Sequence, residues 1–152
     1  MSSEIKFVQD GEQEMFFKWI KPKRATAHSA GYDFFAPYPM CIPPHGEFTV
    51  NTHVKAKMPD NVVLMMYPRS GLGFKYGVHL ANTVGVIDSD YYSNVPGRGV
   101  IKVKLVNPGD DAINIEEGKA YCQGIFMPFF TTDDDDAVGD RDGDGFGSTD
   151  KK

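Results

Sequence analysis

Between Phe48 and Met58 the side chains change kind at every step. The even positions read Phe48, Val50, Thr52, Val54, Ala56 and Met58, and the odd ones Thr49, Asn51, His53, Lys55 and Lys57. A period of two belongs to a strand with one buried face, because successive side chains of an extended backbone point to opposite sides. On that reading the odd residues, Lys55 among them, face water. Ile101, Val103 and Leu105 alternate with Lys102 and Lys104 in the same way. Residues 61–67 form an apolar run too short for a helix, bounded by Pro59 and Pro68, and read as a strand buried on both faces. Residues 78–80, 82–85 and 86–88 read as a hairpin or sharp bend with a glycine at its tip. Pro39, Pro43, Pro44, Pro59, Pro68, Pro96, Pro108 and Pro128 recur at strand-length intervals, and proline neither continues a helix nor donates to a ladder. Helical periodicity lasts about two turns at most, over Ser70–Tyr76. The expected fold is all-β, a barrel or sandwich of short strands.

A chain of 152 residues is expected to form one domain and can bury a core without staples. Its net charge of −5 is unevenly placed. Residues 1–132 carry 13 basic and 13 acidic side chains, whereas residues 133–152 carry eight aspartates against Arg141, Lys151 and Lys152. The division is therefore a neutral body, 1–132, and an acidic linker with a glycine-rich end, 133–152. No basic face for nucleic acid is implied. Cys41 and Cys122 stand alone, which suits a reducing cytoplasm better than a disulfide framework. No apolar leader and no membrane-length apolar run is present, so the expectation is a protein of the cytoplasm.

The end of the chain, Gly139-Asp-Arg-Asp-Gly-Asp-Gly-Phe-Gly-Ser-Thr-Asp150, has nothing to bury and no reason to order by itself. It has a reason to order around an anion bearing a flat ring. Glycine and serine backbone N–H groups approach phosphate oxygens closely, Arg141 pairs with them bidentately, and Phe146 lies on a base. Three further blocks join turn residues to reactive groups. Ala30-Gly-Tyr-Asp33 delivers a carboxylate from a glycine turn. Pro68-Arg-Ser-Gly-Leu72 sets Arg69 and Ser70 where a strand gives way to a helical turn, a place suited to phosphate. Gly85-Val-Ile-Asp-Ser-Asp-Tyr91 follows a strand with two carboxylates and a ring. Singly, each is commoner as an ordinary surface turn.

Together and in this order, with Gly118…Gln123, they resemble the five motifs of the homotrimeric dUTP diphosphatases (dUTPases), over about residues 24–150. The resemblance implies a distorted jelly-roll β-barrel with one short helix and a flexible C-terminal flap. It implies hydrolysis of dUTP to dUMP and pyrophosphate, which keeps uracil out of DNA and supplies dUMP for thymidylate synthesis. Asp88 would be the general base for water attacking the α-phosphorus in line. Tyr91 would press on the deoxyribose and leave no room for a 2′-hydroxyl. Asn82 and the backbone at Gly85, Val86 and Ile87 would read the uracil edge. Arg69, Ser70, Gly71 and Gln123 would hold phosphates, and Lys102 falls near a basic substrate contact. Arg141, Phe146, Gly147 and Ser148 would form the closing flap. Mg2+ would be bound through the triphosphate with no direct protein ligand, Asp33 at most meeting its waters. Each site would draw on three subunits of a homotrimer.

This chain departs from the family in places. It has Tyr92-Ser93-Asn94 after the third motif, an apparent insertion at Pro96-Gly-Arg-Gly99, Ala120 and Cys122 in the fourth motif, and Asp150 ending the fifth. Rival readings are a regulatory protein-binding module of the same fold, with a partner docking on the insertion or the aspartate run, and a dCTP deaminase relative. Asp140-x-Asp142-x-Asp144-Gly145 opens like a calcium loop, but its twelfth position is Lys151 rather than glutamate. A zinc deaminase lacks its ligand cluster, and His28, His45, His53 and His79 are read as structural or surface residues.

Overall fold

The computed structural model describes residues 3–11 and 19–141. Their strands are β1 (Lys6–Gln9), β2 (Lys23–Arg24), β3 (Tyr32–Phe35), β4 (Met40–Ile42), β5 (Glu47–Asn51) and β6 (Val54–Lys57). Then follow β7 (Val62–Pro68), the helix α1 (Ser70–Tyr76), β8 (His79–Leu80) and β9 (Gly85–Ile87). A single 3₁₀ turn, Ser89–Tyr91, precedes β10 (Lys102–Val106), β11 (Ile113–Ile115) and β12 (Ala120–Pro128). The mostly-β expectation holds, and α1 lies where the helical period placed it.

The largest sheet among the described residues runs β2-β3-β12-β7-β9, all antiparallel. β7 lies inside this sheet, with β12 along its whole length on one side and β9 against residues 64–66 on the other. The apolar run of β7 follows from that position: Leu64 and Met66 are buried, and the strand's ladder groups are engaged on both edges. A second sheet, β5-β10-β8, and the pairs β1-β6 and β4-β11 close around the same core. Phe34, Ile42, Val50, Leu80, Ile101, Leu105 and Tyr121 lie at its centre. An aromatic group of Phe7, Tyr32 and Phe126 packs edge to face or tilted beside it.

Three expectations need correction. The alternating stretch 48–58 is two strands, not one. At His53 the backbone turns to φ 56, and Thr52 ties the corner by donating its hydroxyl to the Ile101 carbonyl at 2.6 Å. β5 then pairs with β10, whereas β6 pairs with β1. Nor does Lys55 face water: the Ser93 and Val95 carbonyls and Asp10 cover its side of β6, and only 3% of it is exposed. Finally, Gly85 is not at the tip of a hairpin. The turn lies at Asn82 and Thr83, where Val84 N–H donates back to the Asn82 carbonyl and Thr83 has φ 70. β8 leaves to pair with β10 and β9 with β7, so the two arms serve different sheets.

Cys41 is exposed, Cys122 is buried, and both are free thiols. Burial pushes the Cys122 thiol far up, so it is a packing residue rather than a nucleophile. Among the described residues no helix is long and apolar enough to cross a membrane.

Candidate active site

β7 ends at Pro68 and the chain stays extended through Arg69 (φ −71, ψ 137) before α1 begins. The first helical N–H groups have no partner within a helix by its geometry, and no acidic residue stands in that turn. Gly71 leaves its side open, with no atom within 4 Å of where a Cβ would lie. At the far end Gly77 adopts φ 72 and its N–H returns to Gly73 at 2.9 Å, which stops the helix after two turns.

This junction forms one wall of an open cleft of about 660 Å3. Gly31 and Asp33 from the β3 region and Gln123 from β12 form the opposite side. β3 and β12 are neighbours with Asp33 opposite Gln123, so pairing register brings two sequence-distant blocks together. Gly31 leaves room for the Gln123 side chain, whose Oε1 would have to shift to admit a Cβ there. The Gln123 amide donates to the Pro68 carbonyl at 3.1 Å and fixes the strand end that presents Arg69. Arg69 itself reaches the Ala120 carbonyl at 3.5 Å. Lys75 also lines the cleft, four residues after Gly71 and hence on the same helix face. The sequence reading missed Lys75, although the expected helix carried that spacing. Two cations against one carboxylate make the cleft suited to an anion.

The Asp88 block lies elsewhere. β9 sits on β7 with Ile87 opposite Leu64 and Gly85 opposite Met66. Gly85 allows that approach, since a Cβ would lie 2.9 Å from Met66 Cβ. One residue on, Asp88 is still extended (φ −79, ψ 157) and so continues abreast of Val63. Arg69 is six residues along β7 from Val63, about 20 Å at the strand rise. Val86, 57% exposed, and Asn82 project their turn into solvent. Tyr91 follows in the 3₁₀ turn and donates its hydroxyl to the Val100 carbonyl at 2.8 Å. Lys102, exposed, begins β10 two residues beyond Val100.

Arg141 meets this second group. Its Nη2 lies 2.6 Å from Asp88 Oδ2 and its Nε 2.8 Å from Asp90 Oδ1. The Asp90 hydrogen bond, with Asp88 adding to it, raises the guanidinium above its already high value. Asp90 is therefore a site neighbour that sequence reasoning left without a role. Phe146, Gly147 and Ser148 lie outside the described residues, as does most of the calcium-like loop. Among the described residues no three His, Cys, Asp or Glu side chains gather as a metal site.

The structure thus brings together Asp33, Arg69, Ser70, Gly71 and Gln123 in one place. It brings Asp88, Tyr91 and Arg141 together in another, with Asn82 and β9 leading into it.

A family model described as dUTPase matches residues 18–149. The deoxyuridine 5′-triphosphate nucleotidohydrolase of Lactococcus lactis subsp. lactis (strain IL1403) is 43% identical over 130 residues, covering 84% of this chain and 86% of that protein. The crystal structure of dUTPase from Streptococcus mutans superposes with a TM-score of 0.74 at 38% identity, covering 84% of this chain and 98% of that one. The dUTPase of Staphylococcus bacteriophage 80alpha, 17% identical with a TM-score of 0.69 over 91% and 98% of the two chains, shares the fold. With the match running from before β2 into the tail, and carrying the cleft and the Asp88 turn alike, the chain belongs to the dUTPase family.

Proposed function

We propose that this chain hydrolyses dUTP to dUMP and pyrophosphate in a site shared between subunits of a homotrimer, with Asp88 activating the attacking water. The observation that carries the shared site is the separation just described. The anion cleft and the Asp88 turn of one chain stand about 20 Å apart along β7, farther than a triphosphate spans. The cleft has the cations and N–H groups for phosphate, with Asp33 beside them kept for the metal's waters; the turn has the Asp88 carboxylate and the Tyr91 ring but no phosphate cradle. Docking the cleft of one subunit against the Asp88 turn of the next supplies both halves, and the heterologous contact closes as a ring.

In that arrangement Asp88 accepts a proton from water as its oxygen bonds to the α-phosphorus. The α–β bridging oxygen leaves with pyrophosphate on the opposite side. Ser70 donates its hydroxyl near that bridge, and Arg69 with the Gly71 N–H neutralises charge on the non-bridging oxygens. Asn82 and the backbone of Val86 and Ile87 hydrogen-bond the uracil edge, which rejects cytosine by donor pattern and thymine by size. The Tyr91 ring closes on the deoxyribose and excludes a 2′-hydroxyl. Arg141 exchanges the two carboxylates for the more highly charged γ-phosphate, which frees Asp88 for its task. Phe146, Gly147 and Ser148 then cover uracil and phosphates and keep bulk water out.

Bound with the triphosphate, Mg2+ would supply a positive charge that spreads what builds on the phosphoryl oxygens. Oxygen-rich ligands of that kind suit Mg2+, and the residues at hand for its waters are Asp33 and Gln123 in the cleft.

Pyrophosphate release from dUTP, UTP, dCTP and dTTP, measured in parallel with Mg2+ and with EDTA, tests the reading. Metal-dependent turnover of dUTP with the other three at least about a hundredfold slower is the expected result. Equal turnover of dUTP and UTP would remove the sugar filter from the account. No turnover of any nucleotide would overturn the enzymatic reading.

A further inference from the structure

Lys55 is the most buried cation among the described residues, and the proposed chemistry does not use it. Its side chain is 4% exposed. The ammonium donates to the Ser93 and Val95 carbonyls, each at 2.9 Å, and lies 3.2 Å from the Asp10 carboxylate. Asp10 in turn accepts the Gly97 N–H at 3.0 Å on the same oxygen. A buried ammonium with three oxygen partners is satisfied, and it holds two points of one loop directly and a third, Gly97, through Asp10.

That loop is the one that leaves Tyr91. Its two ends are tied to each other, Tyr91 donating its hydroxyl to the Val100 carbonyl. Gly99, at φ 70, passes so close that a Cβ would lie 2.6 Å from the Tyr91 carbonyl oxygen and 2.7 Å from Ser93 N. β6 secures the exit as well, since Ile101 N–H donates to the Val54 carbonyl at 2.9 Å. Residues 91–101 therefore form a closed ring, and Lys55 is the pin between its outer edge and β6.

We propose that Lys55, with Asp10, is a positioning residue that sets the Tyr91 ring for sugar discrimination. The inference rests on the reading of Tyr91 as the filter against a 2′-hydroxyl. Lys55 touches no substrate. It fixes the loop whose far end holds the phenol, so the ring cannot tilt back to admit ribose.

The test is the ratio of kcat/KM for dUTP to that for UTP. Lys55→Met keeps the stem and removes the charge, but leaves Asp10 without its cation. The paired variant Lys55→Met/Asp10→Asn removes both charges and keeps the experiment readable if the single variant folds poorly. The ratio is expected to fall by about tenfold or more, because UTP gains relative to dUTP, and Lys55→Arg is expected to restore part of it. A purely structural role would lower both substrates by one factor and leave the ratio unchanged, which would overturn the proposal. Tyr91→Ala separates the two readings. If Tyr91→Ala collapses the ratio and the Lys55 variants do not, Lys55 has no positioning role. If Tyr91→Ala leaves the ratio intact, the sugar-filter reading fails and this inference falls with it.

Discussion

Single residues here act through what they displace. Arg141 occupies both Asp88 and Asp90, so in the proposed reaction Asp88 is released as a base when a better anion takes the guanidinium. His53 shows a different economy. It adopts φ 56 at the corner between β5 and β6, and burial holds its imidazole below the ordinary value of 6.5 against the pull of Asp10. With a folded value below the unfolded one, the unfolded chain takes up the proton first as pH falls. Stability is therefore lost as pH drops below 6.5 toward the folded value, and His53 contributes no pH dependence above it. His53→Asn suits the left-handed backbone and cannot titrate. Thermal midpoints between about pH 5 and 8 should fall less steeply on the acid side for the variant than for the parent; equal slopes would exclude His53 as a source. The sequence showed Asp88, Arg69 and Tyr91 because their types and spacing are local. It hid Lys55, since an alternating pattern names the face turned away from the core but not the 93–95 loop that packs over that face.

At the scale of elements, register did what spacing could not show. The β3–β12 pairing sets Asp33 beside Gln123, and the β12–β7 pairing sets Gln123 beside Tyr67 and so next to the Arg69 junction. No pattern in one sequence specifies such partners, although the stretch holding β5 and β6, and β7, β10 and α1, were readable from periodicity and proline. The bend 78–88 was read as one hairpin because its arms are adjacent in sequence; hydrogen bonding sends them to two sheets. Gly85 is the place to test that. Its backbone has no positive φ, so the cost of a side chain is steric, against buried Met66. Gly85→Ala should lose about 1–3 kcal/mol in urea unfolding. Gly71→Ala, open on all sides, should be neutral or slightly stabilising in the same assay. Equal effects would mean that β9 does not approach β7 this closely.

At the scale of the molecule, the fold separates tasks that the chemistry must join. β7 is both the spacer and the support: its last residue leads into the phosphate cleft, and its early residues carry the Asp88 turn. Extended backbone cannot shorten, and the proposal of a shared site rests on this separation of Arg69 from Asp88 within one chain. On the proposed reading, a neighbouring subunit completes the site. The most direct measurement is activity of mixed assemblies of Asp88→Asn and Arg69→Ala chains, co-expressed with different tags and purified through both. Each variant alone should be inactive, with Asp88→Asn still binding dUTP. The doubly tagged trimers should recover roughly a third of the parental rate, because in a ring of three chains that holds both variants one shared site in three joins an intact Asp88 to an intact Arg69. A doubly tagged mixture with no activity above that of the separate variants would contradict the shared site.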